Sequence, residues 1–402
     1  MRFYALFIPF CLLTSLAWSQ YLVKGRVLEE KTNKPIPGAA VFINNTEIGT
    51  LSDKYGYFAL SIPTNIHPLL VIKCLGYQTN TIEVDNTNSG SLLTIPLEII
   101  YEKLKSITVF PDLKDGWEKY GALFRKLLLG RTYYADRCRI KNEDQVHFRL
   151  DKNNNVLYAY SDQDLIILNN VLGYEIKYDL ENFSYNLENH LVVFGGYSRF
   201  NDLSKSNPQK RENWLQNRKM IYCGSEMHFF RALYSNSLDN EDFEVRRLVR
   251  SVNIMKQRAL AYFKSGQDSK YLALASEHPK GLDSIQYFKP FLKEPDTIIL
   301  KIKTSPDNLL ERAENNQVYF SSPDTLQIYY TYKGEIPNVF RDYLFKFNQT
   351  HISATNFLFI HKRTIEIFEN GAFDSIYDLQ IQGFWSISGS FATLLPFDYT
   401  LN

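Results

Sequence analysis

Over residues 21 to about 100 the chain repeats one pattern: short runs in which apolar and polar side chains alternate, each closed by Gly, Pro or Asn. A period of two places successive side chains on opposite faces of a strand, so this stretch reads as sheet with one buried face per strand. Tyr21, Val23 and Val27 alternate with Leu22, Lys24 and Arg26, and Ala39, Val41 and Ile43 with Ala40, Phe42 and Asn44. Phe58, Leu60 and Ile62 continue the pattern, and further strands are expected over 69–75, 79–84 and 92–97. Lys34-Pro35-Ile36-Pro37-Gly38 interrupts the ladder, because proline has no N–H to donate and glycine tolerates positive φ. Asp53-Lys54-Tyr55-Gly56 reads as a tight turn whose Asp accepts backbone N–H bonds. No helix-period segment intervenes, which predicts a Greek-key β-sandwich.

Three strings carry a resemblance: Val23-Lys24-Gly25-Arg26-Val27, Pro35 to Val41, and Gly49-Thr50-Leu51-Ser52-Asp53-Lys54-Tyr55-Gly56-Tyr57-Phe58, closed by Leu75-Gly76-Tyr77. In order and spacing they resemble the carboxypeptidase-regulatory-like domain, a transthyretin-like fold of seven strands. They are also similar to the N-terminal extension of TonB-dependent receptors in Gram-negative outer membranes. The resemblance implies an accessory, non-catalytic module over 20–100. Gly25, Pro37, Gly38, Asp53, Gly56 and Gly76 are then read as structural turn positions that bind nothing. Leu104-Lys105-Ser106-Ile107-Thr108-Val109 is similar to the strand by which such receptors pass to their plug. The roughly 290 residues beyond it are too few for a plug and a 22-stranded barrel, so a receptor is not expected.

Met1-Arg2, an apolar run over 3–16 and Ala17-Trp18-Ser19 form a signal peptide over 1–19, with Gln20 as the first mature residue. The run is shorter than the ~20 residues of a comfortable membrane span. Cys11 lies inside it, so no lipoprotein signal is formed, and no other stretch of the mature chain reads as a transmembrane helix. The expected location is the periplasm, the outer-membrane surface or the cell surface. The 45 basic and 44 acidic side chains of the 402 residues nearly cancel, which removes the basic field that nucleic acid would require. Cys74, Cys138 and Cys223 remain after cleavage, an odd number that leaves a free thiol or an intermolecular bond. Cys138 and Cys223 are the possible disulfide, and Cys74, beside Leu70 and Ile72, reads as a small buried hydrophobe.

After a linker over 101–116, residues 117–402 read as a larger α+β region. Trp117, Tyr120, Phe124 and Leu127 or Leu128 recur at helical spacing up to Gly130, and Pro208 opens a second helical stretch that Gly224 would kink. Strands are expected over 145–150, 156–160, 173–180, 191–197, 243–249, 297–303, 325–332, 356–361 and 375–381. Trp117 and Trp214 are read as core, and 265–269 and 279–283 as mobile loops.

No catalytic, cofactor-binding or metal residue is assigned. The seven histidines (67, 147, 190, 228, 278, 351 and 361) include no H-E-x-x-H zinc motif. Asp151, Asn153, Asn155 and Asp162 have calcium-loop spacing, but Val156 stands where the loop needs glycine, so an Asn-rich hairpin turn is expected. Cys223-Gly224-Ser225-Glu226-Met227 lacks the second glycine of a nucleophile elbow. Glu226 and His228 are two apart and point to different helix faces. The acidic run Asp239 to Glu244 and the cations Arg246, Arg247, Arg250, Lys256 and Arg258 read as a solvated face with local ion pairs. The expectation is a β-rich multidomain, non-enzymatic envelope protein that binds a glycan or protein ligand, or acts in assembly, with aromatic residues supplying the ligand face. Two alternatives stay open: a hydrolase in 117–402 with a non-local active site, and an accessory subunit of an outer-membrane receptor. Oligomeric state is not legible.

Overall fold

The computed structural model describes residues 20–66, 68–85, 87, 89–100, 111–265, 284–314, 317–333, 340, 352–360, 364–374 and 378–401. The expected signal peptide over 1–19, residues 101–110 of the expected linker, and the expected loops over 266–269 and 279–283 lie outside the described residues. Strand outweighs helix, 43% to 23%, so sheets form the frame. Contacts group the described residues into two compact units: those within 20–129, 135–215 and 394–401, and those within 130–134 and 216–393. Among the described residues no helix is long and apolar enough to cross a membrane, which says nothing of crossing by strands.

The front of the first unit is a sandwich of seven strands: β1 (Gln20–Glu29), β2 (Ala40–Ile43), β3 (Gly49–Leu51), β4 (Tyr57–Pro63), β5 (Leu69–Lys73), β6 (Asn80–Glu83) and β7 (Leu92–Leu97). They form two sheets, β4-β1-β7 and β3-β2-β5-β6. β1 pairs antiparallel with β4 and parallel with β7. The alternating residues meet between the sheets, where Val23, Val27, Val41, Ile43, Ile62, Leu70, Ile72 and Ile95 are wholly buried.

The glycines divide into two kinds. Gly38, Gly56 and Gly76 have φ of +72°, +80° and +86°, and a Cβ on Gly56 would stand 2.5 Å from the Val27 carbonyl oxygen. Gly25, expected to shape a turn, instead lies inside β1 opposite Phe58 and Leu93. A Cβ there would fall 2.5 Å from two ring carbons of Phe58, so what the position requires is room for an aromatic ring. Pro37 sits in the turn that leads into Gly38.

The same unit contains a second sheet of β8 (Cys138–Ile140), β9 (Val146–Asp151), β10 (Val156–Ser161), β11 (Leu165–Asn169), β12 (Tyr174–Asn186) and β13 (Val192–Asp202), ordered β8-β11-β12-β10-β9 with β13 also on β12. β12 runs past the expected 180 because a bulge at Leu180/Asn182 lets pairing with β13 continue. Helix α1 (Gly116–Leu129) brings Phe124 to 5.8 Å from Phe148 and 4.9 Å from Phe183, ring centre to ring centre. Trp214 is buried, with its indole N–H donating to the Asn170 carbonyl at 2.8 Å; Trp117 is only half-buried.

This sheet groups with the front sandwich and not with the rest of 117–402. Lys73 at the end of β5 reaches Asp164 at 2.6 Å and also pairs with Asp179. Burial works against its charge, but the two carboxylates outweigh that and hold the ammonium above its ordinary range. The turn after β2 adds backbone bonds: Asn45 N–H donates to the Ser198 carbonyl at 2.8 Å, and Phe200 N–H to the Thr46 carbonyl at 2.9 Å. Asp398 accepts the Glu47 N–H at 3.0 and 3.2 Å, and Lys205 pairs with Glu47 at 2.8 Å.

In the second unit β14 (Phe243–Val252), β15 (Thr297–Thr304), β18 (Thr325–Thr331), β19 (Ile352–Phe359) and β21 (Leu379–Gly383) form an antiparallel sheet in the order β15-β14-β18-β19-β21. A smaller sheet holds β16 (Leu310–Arg312), β17 (Val318–Ser321) and β20 (Thr364–Ile367). Gly224 does not kink one helix but separates two, α2 (Pro208–Tyr222) and α3 (Glu226–Tyr234); its φ is +75° and Ser225 caps the second. α3 buries Phe229 and Phe230 against Phe243, Phe320 and Phe357. Helix α4 (Ile254–Ser265), α5 (Ser284–Phe288) and α6 (Trp385–Ser388) complete the described helices; sequence periodicity did not reveal α4.

Gly25→Ala is expected to cost about 1–3 kcal/mol through overpacking against Phe58, measured by urea unfolding, with Gly25→Ala/Phe58→Ala recovering part of the coupling. Burial, and then Glu47, push the Asp398 carboxyl up to about 6 from 3.8. The folded chain therefore binds this proton more tightly than the unfolded one, and the contribution of this group to stability falls as pH rises from about 4 to about 6. Asp398→Asn, which keeps an acceptor for Glu47, should gain stability relative to the parent by up to about 2 kcal/mol across that window, measured by thermal unfolding at a series of pH values.

Candidate functional site

The conspicuous residues of the front sandwich serve its own turns. Asp53 Oδ1 accepts N–H bonds from Tyr55 and Tyr57, both at 2.8 Å, and the Asp53 carbonyl accepts the Gly56 N–H at 2.9 Å. The calcium-like spacing at Asp151 is likewise a hairpin turn. Asp151 Oδ1 accepts from Asn153 and Asn154 N–H, and Oδ2 from the Asn154 amide at 2.7 Å; that amide bond, first among its contacts, holds the carboxyl below its ordinary range. Asp162, the last residue of the spacing, faces His147 at 3.5 Å instead. Among the described residues no three His, Cys, Asp or Glu side chains converge as a metal site.

The break between α2 and α3 gathers the residues with most chemical potential. Gly224 N–H donates to His228 Nδ1 at 3.1 Å, which leaves the ring proton on Nε2, facing Glu241 at 3.2 Å. The ring lies 4.8 Å from Tyr222 and 4.9 Å from Phe243, and burial holds the imidazole below its ordinary pKa against the pull of Glu241. With both nitrogens engaged, His228 has no free lone pair to act as a base. Its partner is Glu241, not Glu226, whose carboxyl burial pushes up to about 7. Burial likewise raises the Cys223 thiol, which bonds to the Tyr330 hydroxyl, and a protonated thiol is a poor nucleophile. The arrangement locks a turn. Trp385 completes it by donating its indole N–H to the Gly224 carbonyl at 2.8 Å.

The possible disulfide between Cys138 and Cys223 is not formed: both are free thiols, as is Cys74. Cys138 is buried in β8 with its thiol pushed up to about 12, whereas Cys223 is engaged with Tyr330, and the two belong to different compact units. Cys74 is half-buried against the sandwich core. Within the charged run Arg246 pairs with Glu244, while Arg247 pairs outside it with Asp324, Lys256 with Asp296 and Asp239 with Lys303. A groove of about 320 Å³ beside that last pair is lined by Leu238, Phe243, Val245 and Pro306 together with Asp239, Lys303, Thr304 and Ser305.

What remains is a surface that no local motif announces. One face of the five-stranded sheet is buried through Phe243, Val245, Ile328 and Phe357. The alternate positions form a row across the other face. Lys301 Nζ reaches the Tyr329 hydroxyl at 3.4 Å, that hydroxyl bonds to Gln327, and the Gln327 amide donates to Asn356 Oδ1 at 3.1 Å. Gln382 is next in register and exposed. The Arg246 guanidinium lies 5.1 Å above the Tyr329 ring. At ~4.8 Å per strand, the row extends about 19 Å across the sheet. Sequence reasoning missed it because its members come from strands far apart in the chain; the only local signal was alternation in strands already expected.

Residues 23–108 match the family model of the CarboxypepD_reg-like domain. No curated protein matches the chain. Among solved structures, the C-terminal domain of the shaft pilin spaA from Lactobacillus rhamnosus GG is 15% identical over 20% of this chain and 98% of that one, with a TM-score of 0.16. A 9R-lipoxygenase from Cyanothece PCC8801 is 11% identical over 54% of this chain and 48% of that one, also at 0.16. Likenesses that weak bear on neither fold nor function. The family match and the seven-strand sandwich agree: this chain carries a carboxypeptidase-regulatory-like domain at its N-terminal end.

Proposed function

We propose that this is a non-catalytic, exported envelope protein in which the carboxypeptidase-regulatory-like domain is a scaffold and the open sheet face of the second unit binds an extended polar ligand, a surface glycan bearing carboxylate or phosphate groups. The observation that carries the reading is the row Lys301, Tyr329, Gln327 and Asn356 on one accessible face. It combines amide donors and acceptors, a phenol and cations, the groups that meet hydroxyl-rich and anionic chains. The engagement of Cys223, His228 and Asp151 in internal bonds supports binding over catalysis. The N-terminal apolar segment and the receptor-like resemblance of the front domain support an envelope location.

The test is an array of acidic and neutral bacterial surface glycans probed with the chain from Gln20, followed by calorimetry on the ligands retained. Acidic glycans should bind, and Tyr329→Ala and Gln327→Ala should each weaken them by about tenfold with little change in melting temperature. Retention that ignores both substitutions would refute the site. Turnover of peptide or glycoside substrates, lost in Cys223→Ala or His228→Ala without loss of fold, would overturn the non-catalytic reading.

A further inference from the structure

Leu248 is the last residue of β14 paired with β18; beyond it β14 and β15 continue alone as a two-stranded ribbon from Val249–Leu300 to Val252–Thr297. The ribbon ends in a helical cap. Asn253, almost wholly buried, donates to Glu294 at 2.8 Å and to the Pro295 carbonyl at 3.2 Å, and its own oxygen accepts the Lys256 N–H at 3.1 Å. The start of α4 is thereby tied to the return into β15. α4, α5 and the turn over 289–293 enclose a core of their own, with Ala259 and Phe288 buried among Met255, Tyr262 and Tyr287. A ribbon and a core of this size are marginal by themselves.

Even so, this arm leaves large apolar side chains in water: Ile254, Ile285 and Ile299 are 58%, 51% and 59% exposed, and Val252, Phe263 and Leu300 more than 40%. Its charge is one-sided. Residues 250–265 hold four cations and no carboxylate, and 284–303 hold four cations against Glu294 and Asp296. Both carboxylates already serve the arm, Glu294 on Asn253 and Asp296 on Lys256 at 2.8 Å. A basic excess of ten cations to five carboxylates over 249–304, around exposed Ile, Leu and Phe with tyrosines beside them, is the chemistry of a headgroup interface. A second copy of the arm would set a net excess of five positive charges over 249–304 against the same excess.

We propose that the arm over 249–265 and 284–304 docks this protein on the surface of an anionic phospholipid bilayer. Its exposed isoleucines and Phe263 enter the boundary of the acyl chains, and Lys264, Lys289, Lys293 and Arg250 meet the phosphates. The inference goes beyond the glycan-binding reading and does not rest on it.

The test is co-sedimentation of the chain from Gln20 with phosphatidylcholine vesicles, neutral or containing about one-third phosphatidylglycerol. Binding to the anionic vesicles should exceed binding to the neutral ones at least about tenfold and weaken in high salt. Ile254→Glu/Ile285→Glu should abolish most of it, and Lys264→Glu/Lys293→Glu should weaken it, both with an unchanged melting temperature and unchanged retention on the glycan array. Absent sedimentation, equal binding to both vesicles, or indifference to both double variants would overturn the proposal. So would a concentration-dependent dimer that Ile254→Glu/Ile285→Glu converts to monomer, because the patch would then belong to a second copy.

Discussion

Val23, Val27, Ile62, Leu70 and Ile72 are sealed between the two sheets of the front sandwich, and Phe243, Val245, Ile328 and Phe357 are buried on one side of the five-stranded sheet. The shared constraint is that a strand pairs its backbone with its neighbours and still has two rows of side chains to place, at least one of which must leave water. In the sandwich that demand is met between two sheets. In the second unit aromatic packing by α3 meets it for one face and leaves the other to solvent. In the ribbon of β14 and β15 it is barely met on either side. The proposed ligand face and the proposed membrane-docking arm are two of the places where burial stops.

Polar residues follow the same division. Where the backbone turns sharply, carboxylates and an imidazole close the turn: Asp53 on Tyr55 and Tyr57, Asp151 on Asn153 and Asn154, His228 on Gly224. Each of these could be taken from sequence as a reactive group, and each spends an acceptor atom on a backbone N–H within four residues of itself. The half-buried bridge from Lys73 to Asp164 and Asp179 joins β5 of the front sandwich to the sheet of β8–β13. Breaking such a pair one-sidedly leaves a charge that neither burial nor water accommodates well. Its value there is positional: it fixes which strands of the second sheet meet β5.

Alternation and turn chemistry are local properties, and they made six of the seven strands of the front sandwich, the helical spacing of α1 up to Gly130 and the hairpin at Asp151 legible from sequence. The family match at residues 23–108 agrees with that reading. The role of Gly25 was not legible, because a glycine that clears room for a ring on the neighbouring strand looks the same in sequence as one that turns the chain. Nor was α4, whose residues Met255, Ala259 and Tyr262 find their partners only in the return over 287–292.

Sequence alone determined that this chain builds sheets, that its first domain is a carboxypeptidase-regulatory-like sandwich, and that the familiar catalytic spacings are missing; periodicity, turn residues and motif spacing are all written over neighbouring positions. Tertiary structure decided the rest. It separated Cys138 from Cys223 by unit, gave His228 to Glu241 in place of Glu226, and grouped the second sheet with the front domain. It also drew Lys301, Tyr329, Gln327 and Asn356 into one row. Strand order and register bring such residues together across tens of positions, and no window of sequence short enough to carry a pattern contains them.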